Sequence, residues 1–253
     1  TKRNIGFVNP EEQQRLRDST VFIVGVGGMG GACIQSLVRL GVGRFIIADQ
    51  DEFEVSNLNR QVFANLNTVG KSKAQSTAEA IKFINPECQV TVYGADWIDH
   101  LGTILQDTDV VVNGMDDLAS GIELYRKAKI YDATVIDAYT SANPSVFVVK
   151  PSDPRPEERF NYPTRGIHWK NITPDMLDVC KRREFEFVLS QSSSLSEVHL
   201  DIVSEMMKGS RARISMAPMV IMTGTLMAYE VYYLLTGHET ETTNEGYFFN
   251  PRK

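Results

Sequence analysis

Thr20-Val21-Phe22-Ile23-Val24-Gly25-Val26-Gly27-Gly28-Met29-Gly30 is the stretch on which the reading of this chain turns. Its first seven residues are a short apolar run, rich in β-branched side chains and ending among glycines, as in a strand buried on both faces of a parallel sheet. Apolar residues then recur at helical spacing from Met29 to Leu40, at Cys33, Leu37 and Leu40 with Ile34 and Val38 beside them, until Gly41 and Gly43 stop the run. Arg44-Phe45-Ile46-Ile47-Ala48-Asp49 reads as a second strand. Strand, glycine turn, helix and strand make a βαβ unit, whose right-handed crossover sets both strands parallel in one sheet.

The alternation continues outward. A helix over Lys73–Phe83, strands over Gln89–Tyr93 and Asp109–Asn113, a helix over Leu118–Lys129 and a strand over Thr134–Asp137 follow in turn, with Ser145–Lys150 as a further strand. Pro151, Pro154, Pro156 and Pro163 then cluster with Asp153, Glu157 and Glu158, which predicts an irregular crossover over 151–166 rather than sheet. Ile172–Leu189 is charged and admits a helix, Gln191-Ser192-Ser193-Ser194 is a polar loop or helix cap, and periodic apolar order returns over Met216–Leu235. The expected architecture is α/β: a doubly wound, Rossmann-like, mostly parallel sheet with helices on both faces, in a single domain over 1–253. Residues 151–212 are its variable crossover, either a surface excursion or a lid over substrate.

Composition narrows the function. The 253 residues include 26 Lys+Arg and 32 Asp+Glu, a net charge of −6, and 42% are hydrophobic, an ordinary globular balance. Acidity without a Lys/Arg stripe argues against a protein devoted to neutralising phosphates along a nucleic acid. Three widely spaced cysteines, Cys33, Cys88 and Cys180, offer neither a disulfide framework nor a Cys-x-x-Cys zinc site, which favours a reducing compartment. Thr1-Lys2-Arg3-Asn4-Ile5 lacks the apolar core of a signal peptide, and Pro218 and Glu230 interrupt Met216–Leu235, so a cytoplasmic protein without membrane spans is expected.

Gly25-Val26-Gly27-Gly28-Met29-Gly30 fits G-x-G-x-x-G directly between strand and helix, where backbone N–H groups and the helix dipole receive phosphate. Asp49 closes the second strand, placed to accept hydrogen bonds from a ribose. Alone, these features would suit a dinucleotide dehydrogenase. The segment after Asp49 does not: Ser56-Asn57-Leu58-Asn59-Arg60-Gln61 and then Lys73 supply amides and positive charge suited to a triphosphate, for which hydride transfer has no use. Asp116, just past the fourth strand, lies at the carboxyl edge of the sheet, either as a Mg²⁺ ligand facing the phosphates or as the cap of the next helix, a role that suits Asp117 better.

These residues resemble the ThiF, MoeB and HesA adenylating enzymes, relatives of the ubiquitin-activating enzymes. The match runs through the glycine loop, Asp49-Gln50-Asp51, Ser56 to Gln61, Val69-Gly70-Lys71-Ser72-Lys73, Ile84-Asn85-Pro86 and Asp116, and returns over Ala217–Gly237. The resemblance implies a dimer in which a carboxylate attacks the α-phosphate of ATP, giving an acyl adenylate and pyrophosphate. It implies that Gly25, Gly27, Gly28 and Gly30 line the nucleotide, that Asp49 holds the ribose with Asp51 beside it, and that Asn57, Arg60 and Lys73 hold the phosphates next to Gln61. Asp116 would hold Mg²⁺. Arg3 matches an N-terminal arginine that in the family reaches the partner subunit's ATP, or else is a solvated terminal charge.

Departures from the pattern are informative. Many members carry two Cys-x-x-Cys pairs for structural zinc; this chain has none, so no zinc is expected. Many use a crossover cysteine as nucleophile, and here only Cys180 lies in that region. Lys181, Arg182 and Arg183 would favour its thiolate, whereas Met176 and Leu177 would favour simple packing. The resemblance implies as substrate the C-terminus of a small ubiquitin-like protein or peptide, or a tRNA-base carboxylate as in TcdA-like relatives. Competing classes are a non-catalytic subunit of an activating heterodimer and an NAD-dependent oxidoreductase. The apolar circumference of the last helix, with Tyr229, Tyr232 and Tyr233, suits either a dimer interface or a fully buried core helix.

Overall fold

The computed structural model describes residues 2–139, 143–191 and 214–250, together with 199, 201, 202, 205 and 210. Ser192, Ser193 and Ser194 of the expected polar loop lie outside the described residues. The strands are β1 (Thr20–Val24), β2 (Arg44–Ala48), β3 (Gln89–Tyr93), β4 (Val110–Asn113), β5 (Val135–Asp137), β6 (Ser145–Val149) and β7 (Tyr247–Phe248). The α-helices are α1 (Pro10–Asp18), α2 (Gly28–Leu40), α3 (Lys73–Ile84), α4 (Leu101–Gln106), α5 (Leu118–Ile130), α6 (Pro156–Arg159), α7 (Pro174–Gln191) and α8 (Ala217–Thr236).

One seven-stranded sheet runs in the order β3-β2-β1-β4-β5-β6-β7. The first five strands in that order are parallel; β6 and β7 are antiparallel additions, with Asp137 of β5 opposite Phe147 of β6. Strand order reverses between β1 and β4, the place where open α/β sheets leave a crevice outside the strand ends. β1 and β4 are buried along their whole length, which is why both read as continuous apolar runs.

Alternate residues of each strand serve opposite layers. Val21, Ile23, Phe45, Ile47, Val110 and Val112 pack on one face against Ile34 and Leu37 of α2 and Met227 and Val231 of α8. Phe22, Val24, Ile46 and Val111 pack on the other against Trp97, Ile104 of α4 and Leu124 of α5. Helices therefore cover both faces. α2 ends at Gly41, whose φ of +106° is the left-handed turn that lets the chain leave the helix.

α8 crosses α2 at Gly224. A Cβ there would overlap the carbonyl oxygen of Met29 and lie 2.6 Å from Cβ of Ala32, so the two backbones meet with nothing between them. Among the described residues α8 alone is long and apolar enough to cross a membrane, but half of that window is buried inside the protein. Its outer side leaves Tyr229 and Tyr233 exposed.

The crossover is more ordered than its prolines suggest. α6 starts on Pro156, where a missing N–H costs nothing, and α7 extends for eighteen residues. α5 holds the segment through Arg126, whose Nε and Nη2 donate to the two oxygens of buried Glu157 at 2.9 and 2.7 Å. The same guanidinium donates to the carbonyls of Thr164 and Ile167, and the Thr164 hydroxyl donates to Glu157 at 2.7 Å.

Candidate nucleotide site

The glycine loop leaves β1 at Gly25, whose φ of +82° is strained for any side chain. A Cβ there would lie 2.5 Å from the carbonyl carbon of Gly114, and one on Gly30 would overlap the carbonyl oxygen of Gly25. The loop after β1 and the backbone after β4 are thus in contact at the point of strand reversal. Asp116, exposed, follows two residues after Gly114 and so stands beside the loop. The helix cap belongs to Asp117, which accepts from the backbone N–H of Ala119 at 3.2 Å.

Asp49 is tied to the loop from the neighbouring strand. Its Oδ2 accepts from the Val26 N–H and its Oδ1 from the Asp51 N–H, both at 2.9 Å. Burial raises its pKa, opposed by those backbone N–H groups and by Lys73. Each oxygen keeps a lone pair for a ribose hydroxyl. Lys73 begins α3, and its ammonium is buried against Asp51 at 2.8 Å, held towards the mouth of the site rather than free in solvent.

Gln61 is buried with its amide against Gly27: a Cβ on Gly27 would lie 3.3 Å from Nε2. Its Oε1 is buried without a hydrogen-bond partner. A bare glycine backbone facing an unpaired buried acceptor is a cradle waiting for a polar ligand, and it fits a nucleotide. Asn57 has a second duty, since its Oδ1 accepts from the Glu54 N–H at 3.1 Å and so shapes the turn. Arg60 is half-buried, its guanidinium donating to the Ser56 carbonyl and to Oδ1 of Asn59. Asn59 donates in turn to the carbonyl of Ser215 just ahead of α8, and Val220 of α8 abuts Gly28, so the last helix closes one wall.

The family model described as the ThiF family matches residues 1–253. The chain belongs to the ThiF family. It is 33% identical over 143 residues to the tRNA threonylcarbamoyladenosine dehydratase of Bacillus subtilis, covering 56% of each chain. It is 38% identical over 111 residues to the sulfur carrier protein adenylyltransferase of Thermus thermophilus, covering 44% of this chain and 41% of that one. The chain thus spans about half the length of the curated relatives it matches. A crystal structure of E. coli MccB with MccA shares the fold at a TM-score of 0.67 and 18% identity, over 96% of this chain and 64% of that one.

The glycine loop, Asp49, Asp51, Lys73 and Gln61 are thus joined near the strand reversal, Asp116 follows the backbone of Gly114 and Met115 that meets Gly25, and Asn57 and Arg60 lie in the turn that carries Gln61. Cys180 and Arg3, the latter expected at a partner subunit's site or as a solvated charge, lie elsewhere. Arg3 is exposed, and its neighbour Asn4 donates to the carbonyl of Leu40, at the far end of α2 from the loop. A helix of that length puts them about 18 Å apart.

Cys180 is fully buried with Ile122 and Tyr162. Of the two readings open for it, packing fits its environment and a reactive thiolate does not: burial pushes the thiol up to about 12, and Arg183 only partly opposes this. The basic residues that follow Cys180 in sequence do not outweigh the apolar contacts around it.

The sequence reading missed three contributors. Gly114 and Gly224 act by close backbone approach, and the only signal was a glycine after a strand and one inside an apolar helix. The third is a buried network past β4 and β5. Asp137 accepts from Tyr125 Oη at 2.6 Å, from the Ala138 N–H at 2.7 Å and from Asn113 Nδ2 at 3.2 Å. Burial raises its pKa to about 6 against those three donors.

Proposed function

We propose that this chain is an ATP-dependent adenylyltransferase whose substrate is a carboxylate, in the first place the C-terminus of a small ubiquitin-like protein or peptide. The observation that carries the reading is the join of three elements at the strand reversal. Asp49 is bound to the loop, Asp51 to Asp49, and the buried Lys73 ammonium to Asp51, so positive charge is fixed beside a phosphate-binding backbone. An oxidoreductase has no need of that charge.

The chemistry needs little else. A carboxylate is ionised at pH 7, so attack on the α-phosphorus requires no general base, and pyrophosphate leaves as the acyl–phosphate bond forms. Arg60 and Lys73 would neutralise the phosphates, and Gln61 would pair its bare Oε1 with a donor of the nucleotide. Mg²⁺ would sit between Asp116 and phosphate oxygens. Among the described residues no three acidic, Cys or His side chains cluster into a metal site, and Mg²⁺ bound to a nucleotide asks for only one or two carboxylates.

We place the active form as a homodimer, because Arg3 is too far from its own loop to serve it and a two-fold partner would bring a second Arg3 within reach. A cytoplasmic setting suits three free, buried thiols. Support for a protein or peptide substrate comes from the sulfur-carrier relative and the net charge of −6. A tRNA-base carboxylate is the second reading, on the strength of the dehydratase relative.

ATP–pyrophosphate exchange with Mg²⁺ separates them. It is run on the protein alone, with candidate carriers and peptides, and with bulk tRNA, for wild type and Asp116→Ala. Exchange that depends on one added partner and is lost in the variant supports adenylation and identifies the substrate class. Absence of ATP binding in wild type sinks the enzyme reading in favour of a non-catalytic subunit.

A further inference from the structure

Arg159, at the end of α6, is a cation whose hydrogen-bonding edge has nothing to bond. Its guanidinium carbon lies 4.3 Å from the ring centre of Phe160, 4.7 Å from that of Phe187 and 5.4 Å from that of Phe147. These rings attract its charge but offer no lone pair to an N–H. Its Nε and Nη2 are both buried and without a hydrogen-bond partner. No acidic oxygen among the described residues lies within the 4.0 Å that makes an ion pair with it. Asp137, the nearby buried acid, already accepts three hydrogen bonds from other groups.

The same protein shows what that edge does when filled. Nε and Nη2 are the pair by which Arg126 grips both oxygens of Glu157. In Arg159 the identical fork is desolvated and unpaired. Buried unpaired donors are rare because each forfeits its hydration without return, and a missing ligand is a standard reason for one.

Position indicates which ligand. Phe147 pairs across the sheet with Asp137, which ends β5. Arg159 therefore sits at the carboxyl edge of the sheet, the edge from which the glycine loop also opens. β5 is two strands from β1, on the order of 10 Å away. We propose that Arg159 is the anchor of an acyl-substrate pocket and takes an acidic side chain of a peptide substrate, while that peptide's reacting carboxylate reaches the glycine loop. The inference rests on the adenylation reading for its second half, but the anion site itself does not.

The test titrates the 253-residue protein with N-acetylglutamate α-amide, which carries only the side-chain carboxylate, and follows the arginine ¹⁵Nε–H resonances. The Arg159 signal is assigned by its absence in Arg159→Gln. Saturable movement of that signal with the acid, and none with the neutral N-acetylglutamine α-amide, supports the proposal. Arg159→Lys keeps the charge without the fork and is expected to bind at least about tenfold more weakly.

An unmoved Arg159 signal at saturating acid, or equal binding by Arg159→Lys, overturns it. Should Arg159→Gln fail to fold by circular dichroism, Arg159→Lys supplies the assignment. ATP is titrated separately: an anion site without ATP binding would defeat the adenylation reading alone, and ATP binding without an anion site would defeat this proposal alone.

Discussion

Gly30 and Cys180 show how differently single residues fare when read from sequence. Gly30 belongs to a motif whose meaning is local: strand, turn and helix are contiguous, so its role follows from neighbours in the chain. Around Cys180 the chain neighbours point two ways, the three basic residues to a thiolate and Met176 and Leu177 to packing, and the matter is decided by Ile122 and Tyr162, distant in sequence. Gly30→Ala is expected to weaken ATP binding at least tenfold, because its Cβ would overlap backbone at Gly25, which has nowhere to go; isothermal titration checks it. For Cys180, with its thiol near 12, only about one molecule in ten thousand is thiolate at pH 8. Iodoacetamide should leave it unmodified in the native protein by mass spectrometry, and Cys180→Ala should retain pyrophosphate exchange within about twofold. Rapid native alkylation would restore the case for a nucleophile.

At the scale of elements, β1 and β4 were legible because a strand buried on both faces must be apolar throughout. α1 was missed although it carries a local signature: Asn9 accepts from the Glu12 N–H and Glu12 from the Asn9 N–H, a capping box with Pro10 at the first turn. The two-residue β7 has no such signature, since it forms only by pairing with β6. Nor could the Arg159 cage be read, because Phe147, Phe160 and Phe187 meet only once β6, α6 and α7 are packed.

The clasp between α5 and the crossover gives a sharp expectation at this scale. Arg126→Met leaves Glu157 buried without its partner and should cost about 3 kcal/mol in urea unfolding, whereas Arg126→Met with Glu157→Met should recover much of that loss. Additive losses in the double variant would mean that the pair is not coupled.

The network ending β4 and β5 makes a further prediction, with a definite sign. Asp137 holds its proton more tightly folded, near pH 6, than unfolded, near 4. Between those values the native state binds the extra proton, so this group makes the protein more stable as pH falls from 7 to 5, by about 1 kcal/mol. Glu157 and Glu158 have lowered pKa values, and their contribution is lost only below about pH 4.5. Urea midpoints should therefore rise from pH 7 to pH 5 in wild type, and that rise should flatten in Asp137→Asn.

In the whole molecule, the placement of the N-terminal segment decides whether one chain makes one site. α1 and the segment before it are fixed away from the glycine loop, with Asn4 and Gln13 both donating to the Leu40 carbonyl and Arg15 donating to the carbonyl of Thr236 at the end of α8. Arg3 therefore adjoins a residue anchored at the far end of α2, and a long swing back to its own loop would break those bonds. In a two-fold dimer whose sites each take Arg3 from the opposite subunit, Arg3→Ala and Asp116→Ala proteins are each inactive in exchange. Mixed and allowed to re-equilibrate, half of the dimers pair the two variants. In each such dimer one site has Asp116 from one chain and Arg3 from the other, while its companion lacks both. Activity should then return to about a quarter of wild type. If Arg3 serves its own chain, every site in the mixture lacks one residue and nothing returns; if Arg3 is only a solvated charge, Arg3→Ala is active before any mixing.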